Sequence, residues 1–536
     1  MSEPVTLDVV IVGAGFSGLY MLHRMRGLGF TARVYEAGGG VGGTWYWNRY
    51  PGARVDIESH EYSYSFSPEL EDEWVWSERY AAQPELLSYL NHVADRFDLR
   101  RDIQFETRVT SAHFDEAAGR WSVRTDQGET ISARFCVMAI GCLSVTKEVD
   151  LPGAETYQGQ SYHTGQWPHA GVDFSGQRVG VIGTGSSAIQ SIPQIARQAA
   201  QLTVFQRTAN YSVPAHNGPA DPQVVARWKA NRAALRAQAR VAPVGFLSWD
   251  QSEALAVDTP PEERERVYEE RWRRGGFAMG GAFADTTIDM AANAPAAKFV
   301  ADKIRAIVKD PVTAEKLIPK SYPFATKRLC VDIDYHVTYN RENVDLVDLR
   351  EEPIETITPT GVRTAARDYA FDSIVYAIGF DAMTGPLTRI DIRGRGGLAL
   401  KDKWAEGPKT YLGLMVAGFP NLFIVTGPGS PSVLSNMVVS IEQHVDWISD
   451  CLAWLHGRQQ SVIEATAEAE DAWVAHVNEA AAGTLYVQAN SWYLGANIPG
   501  KPRVFMPYVA GVGVYREKCD EVAARGYEGF AVSAAA

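Results

Sequence analysis

Two short glycine turns are the first places in this chain where residue type and spacing could do chemistry. Gly13, Gly15 and Gly18 fill the G-x-G-x-x-G positions directly after the apolar run Asp8–Val12, and a helical pattern follows. In such a turn the first glycine permits the tight bend and the second lets backbone approach a pyrophosphate. The third lets the helix pack closely on the sheet, and Ser17 sits where free N–H groups would face an anion. Glu36 ends the next strand-like segment, Arg33–Glu36, where a carboxylate can accept hydrogen bonds from both ribose hydroxyls. The second turn holds Gly183, Gly185 and Ala188, with Ser186 and Ser187 between them, after the strand-like Arg178–Ile182. Its following strand, Leu202–Gln206, ends in Arg207-Thr208 instead of an acid. A carboxylate there would repel a 2′-phosphate, whereas a guanidinium can bind it bidentately, so this turn is expected to prefer NADPH to NADH. The competing readings are a simple glycine-rich turn and a solvated surface arginine.

With two dinucleotide sites in one chain, one must hold a bound redox group and the other a hydride donor. The first carries an added segment, Gly38 to Asp56 (GGGVGGTWYWNRYPGARVD), suited to lie against a large planar cofactor. Gly43, Thr44, Trp45 and Trp47 are its candidate contacts. The aromatics could equally be core residues, but their position between glycines and Arg49, Arg54 and Asp56 favours the wall of a flavin site. FAD is therefore expected at the first turn and NADPH at the second.

The elements that must position these residues read as an α/β protein with two Rossmann-like dinucleotide-binding domains and a helical insertion. The 536 residues are too many for one ordinary core. Gln83–Leu99 reads as an amphipathic helix, Arg120–Arg134 as an antiparallel hairpin, and Phe135–Ile140 as a further buried strand. The second turn opens a repeat of the same strand, turn, helix, strand order, with its helix expected over Ala188–Ala200. From about Ala220 to Lys320 the texture becomes charged and helical. Its run PEERERVYEERWRR (Pro261–Arg274) reads as a solvated helix face. Strand patterns resume at Val344–Asp348, Ser373–Ile378 and Leu422–Thr426, with a helix near Ser440. The expected division is 1–145 for the first part of the FAD-binding domain and 146–219 for the first part of the NADP-binding domain. Residues 220–320 form the insertion, 321–381 complete the NADP-binding domain, and 382–536 complete the FAD-binding domain.

Lys+Arg 51 against Asp+Glu 64 gives a net charge of −13, which offers nucleic acid or an anionic membrane no general attraction. Five scattered cysteines form neither a CxxC pair nor a metal-like spacing, so no metal is expected and a reducing compartment is. The absence of a redox pair after the first turn also argues against a flavin disulfide reductase. The first residues lack a signal-peptide pattern, and the longest apolar stretch, Tyr411–Val425, is interrupted by Pro420 and Asn421. A cytoplasmic protein, monomeric or weakly self-associating, is expected.

Between the two turns runs Tyr157-Gln-Gly159-Gln-Ser-Tyr-His163-Thr-Gly-Gln-Trp167-Pro168. This segment resembles the signature of the Baeyer–Villiger monooxygenases, with Tyr157 where that family has Phe. The resemblance extends over essentially the whole chain. It includes Gly42 to Gly52, Thr326-Lys327-Arg328, Ser491-Trp492-Tyr493 and Gly427 to Met437, the last like the branch holding phenylacetone and steroid monooxygenases. It implies an FAD enzyme that uses NADPH and O2 to turn a ketone into an ester or lactone through a C4a-peroxyflavin, with sulfides as further substrates. It implies Arg328 as the fixed catalytic cation and Asp56 as the carboxylate that orients it. Lys327, Arg207 and Thr208 match residues that hold NADPH phosphates, Trp492 matches one near the nicotinamide, and Tyr62, Val109 and Met437 match further FAD contacts. Gly159, His163, Trp167 and Pro168 match the linker that couples domain motion, although a lone histidine is as readily structural. Cys142, Leu329, Ser432, Val433 and Leu434 match the substrate pocket. Cys142 stands where the phenylacetone enzyme has a larger polar residue, so a relative's substrate does not transfer. An N- or S-oxygenating flavin monooxygenase shares both turns but lacks the Trp-Pro ending of the linker. A redox-sensing protein on a degenerate scaffold would need broken turns.

Overall fold

The computed structural model describes residues 5–534. At the centre of the first sheet, the strand Val5–Val12 pairs in parallel with Ala32–Tyr35 on one side and Thr130–Met138 on the other. Val9, Val10 and Ile11 are fully buried, because a parallel strand covered on both faces has no side that can carry polar residues. Thr130–Met138 also pairs antiparallel with Arg120–Thr125 and in parallel with Leu422–Ile424. Chain from the C-terminal third therefore lies in the same sheet as the first strand. Asp391–Arg393 adds to the far edge beside Val109–Asp115.

The second sheet has five strands, all parallel, in the order Val344–Asp348, Gln201–Gln206, Arg178–Ile182, Ser373–Tyr376 and Gln160–His163. The linker histidine thus closes an edge strand of this sheet. Helices Pro222–Val241, Pro261–Arg274, Met290–Ile307 and Pro311–Leu317 fill the excursion between Gln206 and Val344. Along Pro261–Arg274 only Tyr268 is buried, which agrees with a solvated face. No described helix is long and apolar enough to cross a membrane.

Several elements differ from the sequence reading. The hairpin's second arm and the buried strand Phe135–Ile140 are one continuous strand, Thr130–Met138, which alternates at its start and becomes wholly buried from Phe135 to Met138. The helix after the second turn begins at Ser186, not Ala188, and ends at Gln198. Ser373–Tyr376 stops short of Ile378, although Ala377 still donates its N–H to the Ile182 carbonyl at 2.9 Å. The first glycine of each turn packs on the backbone just past a neighbouring strand, where a Cβ on Gly13 would lie 2.6 Å from the Ala139 carbonyl oxygen and one on Gly183 2.3 Å from that of Ala377. A three-stranded meander, Ile354–Thr358, Gly361–Thr364 and Asp368–Ala370, gave no strand signal because its polar, half-exposed residues do not alternate cleanly.

Candidate functional site

The first turn is held open by glycine and closed by a carboxylate. Gly13 has φ +102°, and a Cβ on Gly18 would fall 1.8 Å from the Gly13 carbonyl oxygen, so helix and turn meet at a distance only hydrogen allows. Glu36 is buried; its two oxygens accept from the backbone N–H groups of Ala14 and Gly38, each at 2.7 Å. Burial raises its pKa, opposed by those hydrogen bonds. A carboxylate has about four acceptor positions, so roughly two remain for a ribose. Gly43, at φ +54°, faces Gly15 so closely that a Cβ on it would lie 2.9 Å from the Gly15 Cα. The helix Phe16–Gly27 starts at Gly15 with no side-chain cap, which leaves its N-terminal N–H groups free for an anion. Ser17 lies in its first turn. Trp45 is buried with an unpartnered indole N–H and stands edge-on to Tyr62, which in turn packs edge-on against Phe16. Trp47 is half-buried and Thr44 exposed on the short helix Thr44–Trp47. Met437 begins the helix Met437–Gly457, capped by Asn436, while Val109 is buried at the start of its strand. The glycine cradle, uncapped helix end and orphaned Trp45 donor fit a bound FAD.

The second turn repeats this plan with different charge. A Cβ on Gly185 would meet nothing within 4 Å, and the helix Ser186–Gln198 again lacks a side-chain cap. Ser187 shares a 3.1 Å hydrogen bond with Thr164 of the linker, and Ser186 contacts Cys330 at 3.3 Å. The loop at Thr208 is pinned by the Thr184 hydroxyl, which donates to the Thr208 carbonyl at 2.8 Å, and by Asn210, which donates to the Thr184 carbonyl at 2.6 Å. Asn210 escaped the sequence reading, since nothing in its spacing marks it. The Lys327 ammonium lies 4.2 Å from the centre of the Tyr322 ring. Burial, and then repulsion from Arg207, lower its pKa to about 8. Cations gathered without a counter-ion fit the phosphate of NADPH.

The two units meet at Arg328. Its Nε and Nη2 donate to the two oxygens of Asp56 at 2.7 and 2.8 Å, a bidentate pair joining residues 272 apart. Nη1 donates to the Val433 carbonyl at 2.8 Å, and the guanidinium sits 5.2 Å from the centre of the Phe277 ring. Burial works against its charge, but Asp56 more than offsets that and the net pKa is raised. Phe277 lies in the helical insertion, three residues past the run Pro261–Arg274 that reads as a solvated face. The signal was its glycine-rich setting, Gly275 to Phe283. The segment that carries Asp56 is tied to the second unit, since the Tyr50 hydroxyl donates to Gln190 at 2.8 Å and Gln190 donates to the Arg54 carbonyl at 3.1 Å.

Beside Arg328 an apolar cluster gathers Cys142, Met383, Val433, Tyr493, Phe505 and Met506, with Leu434, Met437, Tyr486 and Trp492 against it. Burial pushes the Cys142 thiol up to about 11, so it is neutral there. Ser432 contacts Met383 and donates to the Thr426 carbonyl at 3.2 Å. Both Met383 (φ 67°) and Ser432 (φ 41°) hold left-handed backbone, strain of a kind that collects at functional sites. Leu329 packs instead into the main core. In the linker, His163 accepts the Gly165 N–H at Nδ1, so its proton sits on Nε2, which is buried without a partner. Burial lowers its pKa to about 4. Gly159 is required where a Cβ would meet the Tyr157 hydroxyl at 2.3 Å, and that hydroxyl donates to the Phe371 carbonyl at 3.0 Å. Trp167 is buried against Tyr162 and Phe174, and the carbonyl of Pro168 accepts from Gly171.

Residues 10–235 match the protein family described as pyridine nucleotide-disulphide oxidoreductase. The chain is 45% identical over 524 residues to a Baeyer–Villiger monooxygenase of Pseudooceanicola batsensis, covering 97% of this chain and 95% of that protein. It is 44% identical over 533 residues to a phenazine N-monooxygenase of Lysobacter antibioticus, covering 99% of this chain and 97% of that one. The solved structure of an oxidised steroid monooxygenase bound to NADP superposes with a TM-score of 0.94 at 55% identity, covering 99% of this chain and all of that one.

Proposed function

This chain belongs to the Baeyer–Villiger monooxygenases, and on that premise we propose how its residues turn a ketone into an ester or lactone. It is an FAD- and NADPH-dependent oxidoreductase that oxygenates a ketone. Bound FAD, once reduced by NADPH, supplies the activated oxygen, and the balance is ketone, O2, NADPH and a proton giving ester, water and NADP+. The protein's part is to hold a fixed positive charge where the attacked carbonyl oxygen becomes negative. Arg328 does this without releasing a proton, since a guanidinium stays charged at neutral pH. Asp56 and the Val433 carbonyl leave it little rotational freedom. Tyr486, Tyr493, Phe505 and Met506 keep water from the reacting centre. The observation that carries this reading is the Asp56–Arg328 pair, set between two dinucleotide turns and beside an apolar cluster. On the same reading the first sheet, with residues 382–536, forms the FAD-binding unit. The five-stranded parallel sheet forms the NADP-binding unit, and residues 220–320 are an insertion.

The test is a panel of aryl-alkyl, cyclic and steroid ketones scored by mass spectrometry for NADPH- and O2-dependent ester formation. The N-oxygenating relative supports a second reading, so a phenazine and an alkyl sulfide belong in the panel. Oxygenation of the heterocycle without any ester would replace the ketone reading. Because Cys142 lies in the apolar cluster, Cys142→Phe should lower kcat/KM for steroid-sized ketones at least about tenfold relative to short-chain ones. A proportional loss for all ketones would remove Cys142 from the specificity wall.

Lys327 gives the cofactor site a pH dependence. Arg207 and the Tyr322 ring are the groups that face it, and its pKa is about 8 in the free protein. A phosphate selects the ammonium form, so above that pH binding must take up a proton. NADP+ affinity should then fall by up to about tenfold per pH unit, while NAD+ affinity stays flat. Calorimetric titration from pH 7 to 9.5 checks this, and parallel slopes for the two nucleotides would refute it.

A further inference from the structure

A third cation, Lys147, lies close enough to Arg207 to be repelled by it, outside the pair expected from sequence. Lys147 lies in the segment after Cys142 and is fixed by backbone contacts to the second sheet. Its N–H donates to the Gly379 carbonyl at 3.0 Å, the Asp381 N–H donates to the Val145 carbonyl at 2.9 Å, and Thr146 bridges Phe380. Gly379 follows the strand Ser373–Tyr376, which neighbours Arg178–Ile182, which neighbours Gln201–Gln206. Because these strands are parallel, Gly379, Gly183 and Arg207 all emerge at the same carboxyl edge, the place where open α/β sheets bind ligands. Two strand spacings of about 4.8 Å separate the strand leading to Gly379 from the one leading to Arg207, a gap that a lysine side chain can largely span.

The charges around Lys147 are arranged as they are around Lys327. Burial, then repulsion from Arg207, depress its pKa, with Asp150 in opposition. Among the described residues none of Lys147, Arg207 and Lys327 has an ion-pair partner, whereas cations and acids nearby are taken up elsewhere. Glu148 pairs with Arg389, Lys316 with Glu351, and Lys501 with Asp381. Arg207 repels both Lys147 and Lys327, and three cations gathered from three chain segments are costly unless an anion of high charge joins them. A phosphate monoester dianion has that charge and enough acceptor oxygens for all three.

We infer that Lys147 is a binding residue for the 2′-phosphate of NADPH, completing a three-cation pocket with Arg207 and Lys327. This rests on the assignment of the second turn to NADPH. The test is calorimetric titration of the FAD-loaded oxidised enzyme with NADP+ and with NAD+. Lys147→Ala should weaken NADP+ about tenfold and leave NAD+ within twofold, whereas Lys147→Arg should retain most of the NADP+ affinity. The ratio of the two affinities is read within one protein sample, so partial misfolding, which lowers the competent fraction for both, does not imitate the effect. Unchanged NADP+ affinity, or equal losses for both nucleotides, would overturn the role of Lys147 and leave the NADPH assignment standing. A wild-type enzyme that binds NAD+ as tightly as NADP+ would instead overturn the whole phosphate pocket, Arg207 included.

Discussion

Arg328→Ala should abolish measurable ester formation, a loss of at least about 10²–10³-fold, while flavin reduction by NADPH stays within a few-fold of wild type. The asymmetry follows from where the guanidinium points. Its Nε and Nη2 are committed to Asp56 and one Nη1 hydrogen to the Val433 carbonyl. The charge is thus fixed at the join of the two units beside the cluster of Cys142, Tyr493 and Phe505. On the proposed mechanism hydride delivery depends on the second turn and on Arg207 and Lys327, and among the described residues none of these hydrogen-bonds to Arg328. The oxygenation step depends on a cation already aimed at the oxygen that becomes negative. Arg328→Lys is the informative companion. An ammonium keeps the charge but cannot form the fork with Asp56, so it should recover only a small part of the activity. Stopped-flow reduction under anaerobic conditions and ester yield in air separate the half-reactions. NADPH should still be consumed in the alanine variant, with hydrogen peroxide appearing in place of ester. Ester yield at the wild-type level would sink the assignment.

How much of this was legible in the sequence depended on whether a feature is local. Both glycine turns and the place of Glu36 beside the first are legible, because each rests on backbone geometry within some twenty residues. Strand ends were misjudged where the cause was remote. Ile378 falls outside its strand, whose last ladder contact is the Ala377 N–H donating to the Ile182 carbonyl across the sheet, a pairing no local pattern encodes. The continuous strand Thr130–Met138 was split in two because its burial changes midway, from one covered face to two. Arg328 shows the sharper limit. In sequence it is an ordinary Lys-Arg pair, and only a resemblance distinguished it, since its carboxylate partner is 272 residues away. Phe277 and Asn210 lacked even that, one just beyond the solvated run Pro261–Arg274 and the other in a loop with no spacing rule. Tyr157, where the family has Phe, keeps the aromatic ring and adds a hydroxyl whose partner, the Phe371 carbonyl, lies 214 residues away.

Gly18→Ala should yield a protein that purifies without FAD, whereas Gly185→Ala in the second turn should retain FAD and lose nucleotide affinity. The contrast follows from what each Cβ would meet. On Gly18 it would fall 1.8 Å from the Gly13 carbonyl oxygen, inside any permitted contact, with Ile11 behind it at 3.7 Å. Neither the oxygen nor the helix can yield alone, because Gly13 is itself pressed against the Ala139 backbone and the helix Phe16–Gly27 is buried along most of its length. The helix must move away from the sheet, which takes its N-terminal N–H groups away from the pyrophosphate position and slackens the loop held by Glu36. On Gly185 the Cβ meets nothing within 4 Å, so the fold tolerates it and the added methyl occupies only the space a pyrophosphate would use. Bound flavin per chain, measured by absorbance after denaturation, and NADP+ affinity by calorimetry give the two readouts. Full flavin occupancy in Gly18→Ala would mean that helix and sheet are less tightly coupled than the contact requires. A Gly185→Ala enzyme that binds NADP+ normally would place the pyrophosphate away from the second turn. The two turns share a sequence pattern, yet one methyl group tests packing in the first and ligand approach in the second.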